Sequence, residues 1–158
     1  YDARPDTFGV VDEATSALGL ARALTQDQRA REVILKTQRD LYVLMAELAT
    51  PPENIEKVGF RVTPEHVRWL EETEEALKAE VEIPNKFVIP GDSPDGAALD
   101  LARTIIRRAE RQVARLTHEQ VIDNADVLRY LNRLSDLIFI LARYLEARQG
   151  GSTEASRS

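Results

Sequence analysis

The chain has 158 residues, with 21 Lys and Arg against 27 Asp and Glu, for a formal net charge of -6. This length suits one domain, and the acidic balance without a basic tail argues against nucleic-acid binding. No apolar run approaches a membrane span, which argues against an integral membrane protein, and the absence of Cys excludes disulfides and thiolate chemistry. A chain without Cys fits a reducing compartment, so we expect a cytoplasmic location.

The first half of the chain predicts two long helices. Apolar residues recur at helical spacing from about Thr7 to Leu24, which predicts the first helix. Thr25 and Gln28 then form a T-x-x-Q pattern, which is typical of a capping box at the start of a second helix. Pro51-Pro52 ends this second helix, and we expect residues 51–62 to form a loop.

The second half predicts three more helices. Thr63-Pro64 places Pro directly after a capping residue, which predicts a third helix that Pro84 ends. Residues 83–96 form a connection rich in Pro and Gly, within which Ser93-Pro94 repeats the same signal and begins a fourth helix. The fifth helix begins near Asn124 and ends before the polar tail.

Five helices without an alternating strand pattern predict an all-α, five-helix bundle over residues 1–149 as a single domain. The small, polar residues 150–158 are expected to be a disordered tail. The fifth helix is apolar on two faces, one with Leu128, Leu131, Ser135, Ile138 and Ala142, the other with Leu134, Leu137, Leu141 and Leu145. Its second face indicates either a central helix or a subunit interface, and we expect an oligomer.

Three arginines share one side of the fourth helix. With about 100° between successive residues, Arg103, Arg107 and Arg111 fall in one wedge together with Glu110, whereas Arg108 points elsewhere. Because Arg presents a planar fork to phosphate oxygens, the cluster indicates an anion site. The alternative is a solvated face with ion pairs inside the helix, such as Arg107 with Glu110.

The fifth helix carries a matching polar wedge. Asn132, Asp136, Phe139 and Arg143 fall within roughly 60° of one another. A polar row with an aromatic residue, on a helix that is otherwise apolar, indicates a cleft or a partner. The alternative is a buried polar network that fixes the packing of the helices.

Other patterns add little chemistry. On the first helix Asp12, Ser16 and Gly19 lie together, either where another helix approaches or simply in solvent. His66 and His118 lack the spacing of a metal site or a catalytic triad. We therefore assign no metal ligand among the protein side chains.

Five segments match the signatures of one enzyme family. Arg4, Gly9, Val11, Asp12, Glu13, Ser16 and Gly19 match R-x-x-x-x-G-x-V-D-E-L-N-S-x-x-G, although Ala14 and Thr15 replace its Leu and Asn. The other segments are QRDLYVLMAELATP, KFVIPGDSP with Asp92 in place of a second Gly, ARTIIRRAERQV and LRYLNRLSDLIFILARY. Together they resemble the PduO-type ATP:cob(I)alamin adenosyltransferases over nearly the whole chain to about residue 145.

The resemblance implies a homotrimer of five-helix bundles with active sites between adjacent subunits. The implied reaction transfers the 5′-deoxyadenosyl group of ATP, accompanied by Mg²⁺, to the cobalt of cob(I)alamin, and yields adenosylcobalamin and triphosphate. A corrinoid reductase and an adenosylcobalamin-dependent mutase are the implied protein partners, and neither nucleic acid nor a membrane is one.

The resemblance also implies roles for individual residues. The residues on the nucleotide side are Arg107, Arg108, Glu110, Arg111 and Asn132. Asp12 would pair with Arg107 across the subunit boundary, and Arg103 would stand near the reacting groups. Phe87 would lie under the corrin ring, in a pocket that Phe139 and Asp136 also line. Judged on its position in a loop alone, Phe87 could instead plug the end of the bundle.

The family's N-terminal segment T-R-x-G-D-x-G-x-T and a Lys after it contact ATP, and this chain starts just after that Lys would fall. We expect the segment to be disordered without ATP rather than absent from the protein. The alternative functions are a non-catalytic corrinoid-binding or escort bundle and a structural trimer. An intact Gly-rich segment at the genomic N-terminus would favour the enzyme.

Overall fold

The computed structural model describes residues 2–149, and these residues contain helices but no strand. The elements are α1 (Arg4–Leu24), α2 (Gln28–Ala49), a 3-10 turn (Pro52–Asn54), α3 (Ile55–Val58), α4 (Pro64–Lys78), α5 (Pro94–His118) and α6 (Ala125–Arg148). The all-α prediction is confirmed, with five long helices and the one-turn α3, which lies where a loop was predicted. None of the described helices is long and apolar enough to cross a membrane. The predicted disordered tail, residues 150–158, lies outside the described residues.

The cap of α2 differs from the predicted capping box. Its N-cap is Asp27, whose Oδ1 accepts a hydrogen bond from the backbone N–H of Ala30 at 2.9 Å. The hydroxyl oxygen of Thr25 accepts instead from the N–H of Asp27 at 3.2 Å, within the turn between α1 and α2. The T-x-x-Q prediction is therefore wrong. The carboxylate of Asp27 lies nearer the helix than Thr25 does, so it accepts from a free N–H group of the first turn, and its negative charge is attracted to the positive end of the helix dipole.

The caps of α4 and α5 were predicted correctly. Thr63 begins α4 in a capping box, in which its N–H donates to Nδ1 of His66 at 2.9 Å. Ser93 caps α5 by accepting from the N–H of Gly96 at 3.1 Å. The fifth predicted helix begins near Asn124 as expected, and the Oδ1 of Asn124 caps α6 by accepting from the N–H of Asp126 at 3.0 Å. The end of α4 was placed too late, because the helix stops at Lys78 and residues 79–93 form the connection to α5.

The central helix of the bundle is α6, which packs against α5, α4 and α2, while α1 packs on α5 and α2. Both of its apolar faces are buried inside the chain; Leu131, Leu134, Leu137, Ile138, Leu141, Ala142 and Leu145 are at most 1% exposed. The central-helix explanation of the two-faced pattern is thus confirmed. This pattern therefore provides no argument for a subunit interface.

Asn124 joins three parts of the bundle, and its replacement should be costly. Its Nδ2 donates to Glu47 Oε2 at 2.9 Å and to the carbonyl of Val62 at 2.9 Å, while its Oδ1 caps α6. We expect Asn124→Ala to lower the free energy of unfolding, measured in urea, by about 2–4 kcal/mol, because a cap is lost and the buried Glu47 loses a donor. Ser93→Ala removes a cap and a local bond to Asp95 of the same helix, but no link between separate parts of the bundle. It should cost about 1 kcal/mol, and equal losses in both variants would contradict the bridging role.

Candidate functional site

An open groove of about 640 Å³ lies between α4, α5 and α6. Six of the predicted site residues line it, three from α5 and three from α6: Arg103, Arg107, Glu110, Asn132, Asp136 and Phe139. The two polar wedges that the sequence predicted on separate helices therefore face each other. Their packing creates the groove because α5 and α6 are direct neighbours in the bundle.

A second cavity of about 560 Å³ continues the groove at one end. It shares Arg107, Glu110 and Asn132 with the first and adds Arg111 and Arg129. The shared residues make the two cavities one continuous surface feature with two unlike ends. One end is rich in guanidinium groups, and the other combines Phe139 with carboxylates.

Two of the three guanidinium groups described at the cationic end, those of Arg107 and Arg111, have no internal partner, whereas Arg129 pairs with Asp126. Within residues 2–149, neither Arg107 nor Arg111 forms an ion pair or a hydrogen bond, and both are exposed. Glu110 accepts a hydrogen bond from Asn132 Nδ2 at 3.0 Å instead of pairing with Arg107. The ion pair expected of a merely solvated face is therefore not formed, and this end of the groove is suited to an anion such as a phosphate chain.

The other end of the groove is built around Phe139. Two guanidinium groups approach its half-buried ring, with Arg103 Cζ 5.8 Å and Arg143 Cζ 4.6 Å from the ring centroid. Arg143 is fully buried and pairs with Asp100 at 2.6 Å. The residues of the predicted polar wedge on α6 therefore have different environments. Asn132 and Asp136 face the groove, whereas Arg143 belongs to a buried polar network.

Asp136 has an unusual environment for an exposed carboxyl. Partial burial in the groove wall raises its pKa above the usual range, and the negative charge of Glu74 on α4 adds to the rise. Arg133 opposes the rise from a distance of 3.6 Å between Nη1 and Oδ2. A carboxyl group in such a place can accept hydrogen bonds from the amide groups of a large ligand, and it can also donate one when it is protonated.

Three predicted site residues lie away from the groove. Asp12 is exposed on α1 and has no partner in the described part of the chain, so it does not pair with Arg107 of its own chain. Arg108 pairs with Glu13 of α1. Phe87 is 88% exposed in the connection between α4 and α5, so the hypothesis that it plugs the bundle end is wrong.

Sequence reasoning missed several residues of the groove. Glu74 and Lys78 of α4 line its wall and pair with each other at 3.2 Å, and Arg129 lines the cationic end. Arg129 stands one helical turn before Asn132, so its spacing could have indicated it. Nothing in the sequence of α4 indicated that this helix would face the arginines of α5. No group of three His, Asp or Glu side chains within residues 2–149 could hold a metal ion.

The fold and the groove define an all-α protein that can hold a polyanion beside a large ligand with an apolar face. The chain belongs to the cobalamin adenosyltransferase family, whose sequence profile matches residues 1–145. It is 39% identical over 160 residues to a corrinoid adenosyltransferase of Bacillus subtilis, across 98% of this chain and 81% of the relative. A corrinoid adenosyltransferase of Mycobacterium leprae is 40% identical over 149 residues, across 90% and 78% of the two chains.

Solved structures of the same family share the fold. A variant of the PduO-type ATP:corrinoid adenosyltransferase from Lactobacillus reuteri, complexed with cobalamin and ATP, superposes with a TM-score of 0.88 at 34% identity, over 100% of this chain and 88% of that one. A second variant, complexed with ATP, gives 0.89 at 34% identity, over 99% and 89%. The family that the sequence motifs indicated is thereby confirmed.

Proposed function

We propose that this protein transfers the 5′-deoxyadenosyl group of ATP to the cobalt of cob(I)alamin, forming adenosylcobalamin and triphosphate. The observation that carries the proposal is the groove, in which unpaired Arg107 and Arg111 lie at one end and Phe139 at the other. Relatives along nearly the whole chain are corrinoid adenosyltransferases, and the Lactobacillus reuteri structure holds cobalamin and ATP together.

The reaction asks little covalent chemistry of the protein. Cob(I)alamin is itself the nucleophile: its electron pair forms the bond from cobalt to the 5′ carbon, while the bond from that carbon to the triphosphate oxygen breaks. The electron pair of the broken bond leaves with triphosphate. The protein therefore needs no activated Ser, Cys or Lys, and its tasks are to bind charge and to align the two substrates.

Each end of the groove suits one of the two substrates. Arg107 and Arg111 would neutralise the triphosphate, whose charge grows as the bond breaks. Arg108 pairs with Glu13 outside the groove, so we give it no contact with the triphosphate at this end. Glu110 and Asn132 stand where the two cavities meet, so they would contact the nucleoside. Because the described residues offer no cluster of metal ligands, Mg²⁺ would arrive on the triphosphate as part of the substrate.

At the other end, Phe139 and Asp136 would receive the corrinoid. Phe87 lies outside the groove, in the connection before α5, while Ile83 of the same connection lines the groove. With the corrinoid bound, Phe87 would lie under the corrin ring and exclude the lower axial ligand of cobalt. A four-coordinate cobalt is easier to reduce, and the electron would come from a corrinoid reductase. An adenosylcobalamin-dependent mutase would then use the product. The absence of Cys favours a cytoplasmic location for the protein.

A homotrimer with active sites between subunits fits one exposed face of the bundle. Thr25 bonds Asp95, and Glu13 pairs with Arg108, so α1 and α5 run antiparallel. Leu20 and Leu101 each lie seven residues from the Glu13–Arg108 pair toward the same end, and they are 51% and 54% exposed. Two adjacent exposed leucines suit a subunit contact.

Light scattering at micromolar concentration should give three times the mass of one chain. Leu101→Glu should shift the protein toward smaller species, because a charge would be buried in the contact. Tyr42→Glu, at a 62% exposed position on α2, is the matched control and should leave the mass unchanged. A stable wild-type monomer would remove both the interface and the shared site.

The activity itself is tested anaerobically with the full-length protein. Pre-reduced cob(I)alamin and Mg-ATP are mixed with the protein, the corrinoid spectrum is followed and triphosphate is measured. The enzyme should produce adenosylcobalamin and triphosphate in equal amounts. A spectral change on corrinoid binding without consumption of ATP would instead indicate the non-catalytic escort function.

A further inference from the structure

Beneath the groove, two buried carboxylates hold one buried arginine. Arg143 of α6 is 1% exposed, and its Nη2 donates to Asp100 Oδ2 at 2.6 Å and to Glu146 Oε1 at 2.9 Å. Its Nε donates to Glu146 Oε2 at 3.1 Å. The two carboxylates are each 2% exposed. Such a network is costly to desolvate, and replacement by apolar residues is often neutral for stability, so its presence beside the groove calls for another role.

The second oxygen of Asp100 faces a residue of the groove. The Nε of Arg103 lies 3.7 Å from Asp100 Oδ1, which is within ion-pair distance but beyond a hydrogen bond. Both atoms are buried, and neither has a hydrogen-bond partner in the described part of the chain. The buried Nε edge of Arg103 thus faces Asp100, while the same side chain also lines the groove.

The ring of Phe139 contacts the same two arginines. Its ring lies 4.6 Å from the guanidinium carbon of Arg143 and 5.8 Å from that of Arg103. Guanidinium groups at these distances are attracted to the face of an aromatic ring. Arg103 therefore contacts both the carboxylate of Asp100 and the ring of Phe139, and Arg143 contacts the same two groups.

We propose that Asp100, held in place by Arg143, is a positioning residue for Arg103 during adenosyl transfer, an inference that rests on the proposed function. Asp100 fixes the Nε edge of Arg103, which leaves the two Nη groups of that side chain free to contact the reacting groups of the two substrates in the groove. Asp100 itself touches no substrate and acts only through Arg103. A displacement of about 1 Å in such a group can lower a rate on the order of 100-fold.

The test replaces Asp100 with Asn, which keeps the size of the side chain and removes its charge. We expect kcat to fall by about 10- to 100-fold, with a much smaller change in KM for either substrate. The control is Asp40→Asn, since Asp40 is 5% exposed and pairs with Lys36 at 2.6 Å on α2, outside the groove. This control should lower the melting temperature but leave kcat unchanged. Unchanged kcat in Asp100→Asn, with an active wild type, would overturn the positioning role.

A double-mutant cycle separates positioning from a general structural effect. In an Arg103→Ala background, Asp100→Asn should cause no further loss of kcat, because the residue through which it acts is gone. If the two substitutions instead lowered kcat by independent factors that multiply in the double variant, the proposal would be overturned. Should Asp100→Asn not fold, Arg143→Lys retains the buried positive charge and should show the same dependence on Arg103. A wild-type protein that forms no adenosylcobalamin would overturn the proposed function and this inference together.

Discussion

Phe87→Ala should slow the adenosylation of cob(II)alamin supplied with a reductant, while pre-reduced cob(I)alamin reacts nearly as fast as with the wild type. Only the first substrate must lose its lower axial ligand before reduction, and the proposed role of Phe87 is to exclude that ligand. Because the side chain is 88% exposed, its removal leaves no cavity in the chain. We therefore expect the free energy of unfolding to change by less than about 0.5 kcal/mol.

Phe60→Ala provides the matched control for this experiment. Phe60 is another exposed phenylalanine outside the helices, at 52% exposure, and it does not line the groove. Its replacement should affect neither substrate. If Phe87→Ala slowed both substrates equally, or lowered the melting temperature by many degrees, its role under the corrin ring would be wrong.

The sequence predicted the long helices because their signals are local. The Pro residues after Thr63 and Ser93 and the apolar period of α5 act within a few turns of chain, and the structure confirms them. The cap of α2 could not be chosen in this way, since both Thr25 and Asp27 are suitable residues placed close together. The two-faced α6 was ambiguous for another reason, because a sequence does not reveal whether the covering residues come from the same chain.

The candidate site was predicted only where one helix carries several of its residues. Helical spacing placed Arg103, Arg107 and Arg111 on one side of α5, and the structure puts all three along the groove. The contribution of α4 and the pair of Asp100 with Arg143 depend on which helices become neighbours, and spacing within one helix does not contain this information. Nor can spacing show that Phe87 remains exposed, because its environment depends on the path of the connection.

Asp12→Asn should raise the KM for ATP by about 10- to 100-fold and should change the KM for the corrinoid much less. We expect Asp12 of one subunit to hold Arg107 of the next, since both side chains are exposed and neither has a partner within residues 2–149. Removal of one member of a well-buried ion pair costs about 3–5 kcal/mol, whereas an exposed pair contributes under about 1 kcal/mol. Asp6→Asn removes the same charge from an exposed position on the same helix and should leave ATP kinetics unchanged.

A mixed trimer tests whether the pair of Asp12 and Arg107 joins two subunits. Homotrimers of Asp12→Asn or of Arg107→Ala contain only defective sites. When the two variants are co-expressed, some interfaces combine the intact Asp12 of one chain with the intact Arg107 of the other, so part of the activity should return. A pair within one chain could not be restored in this way, because every chain carries one of the two substitutions. Recovery of activity at the wild-type KM for ATP would therefore support a shared site, whereas mixed trimers as inactive as their parents would reject it.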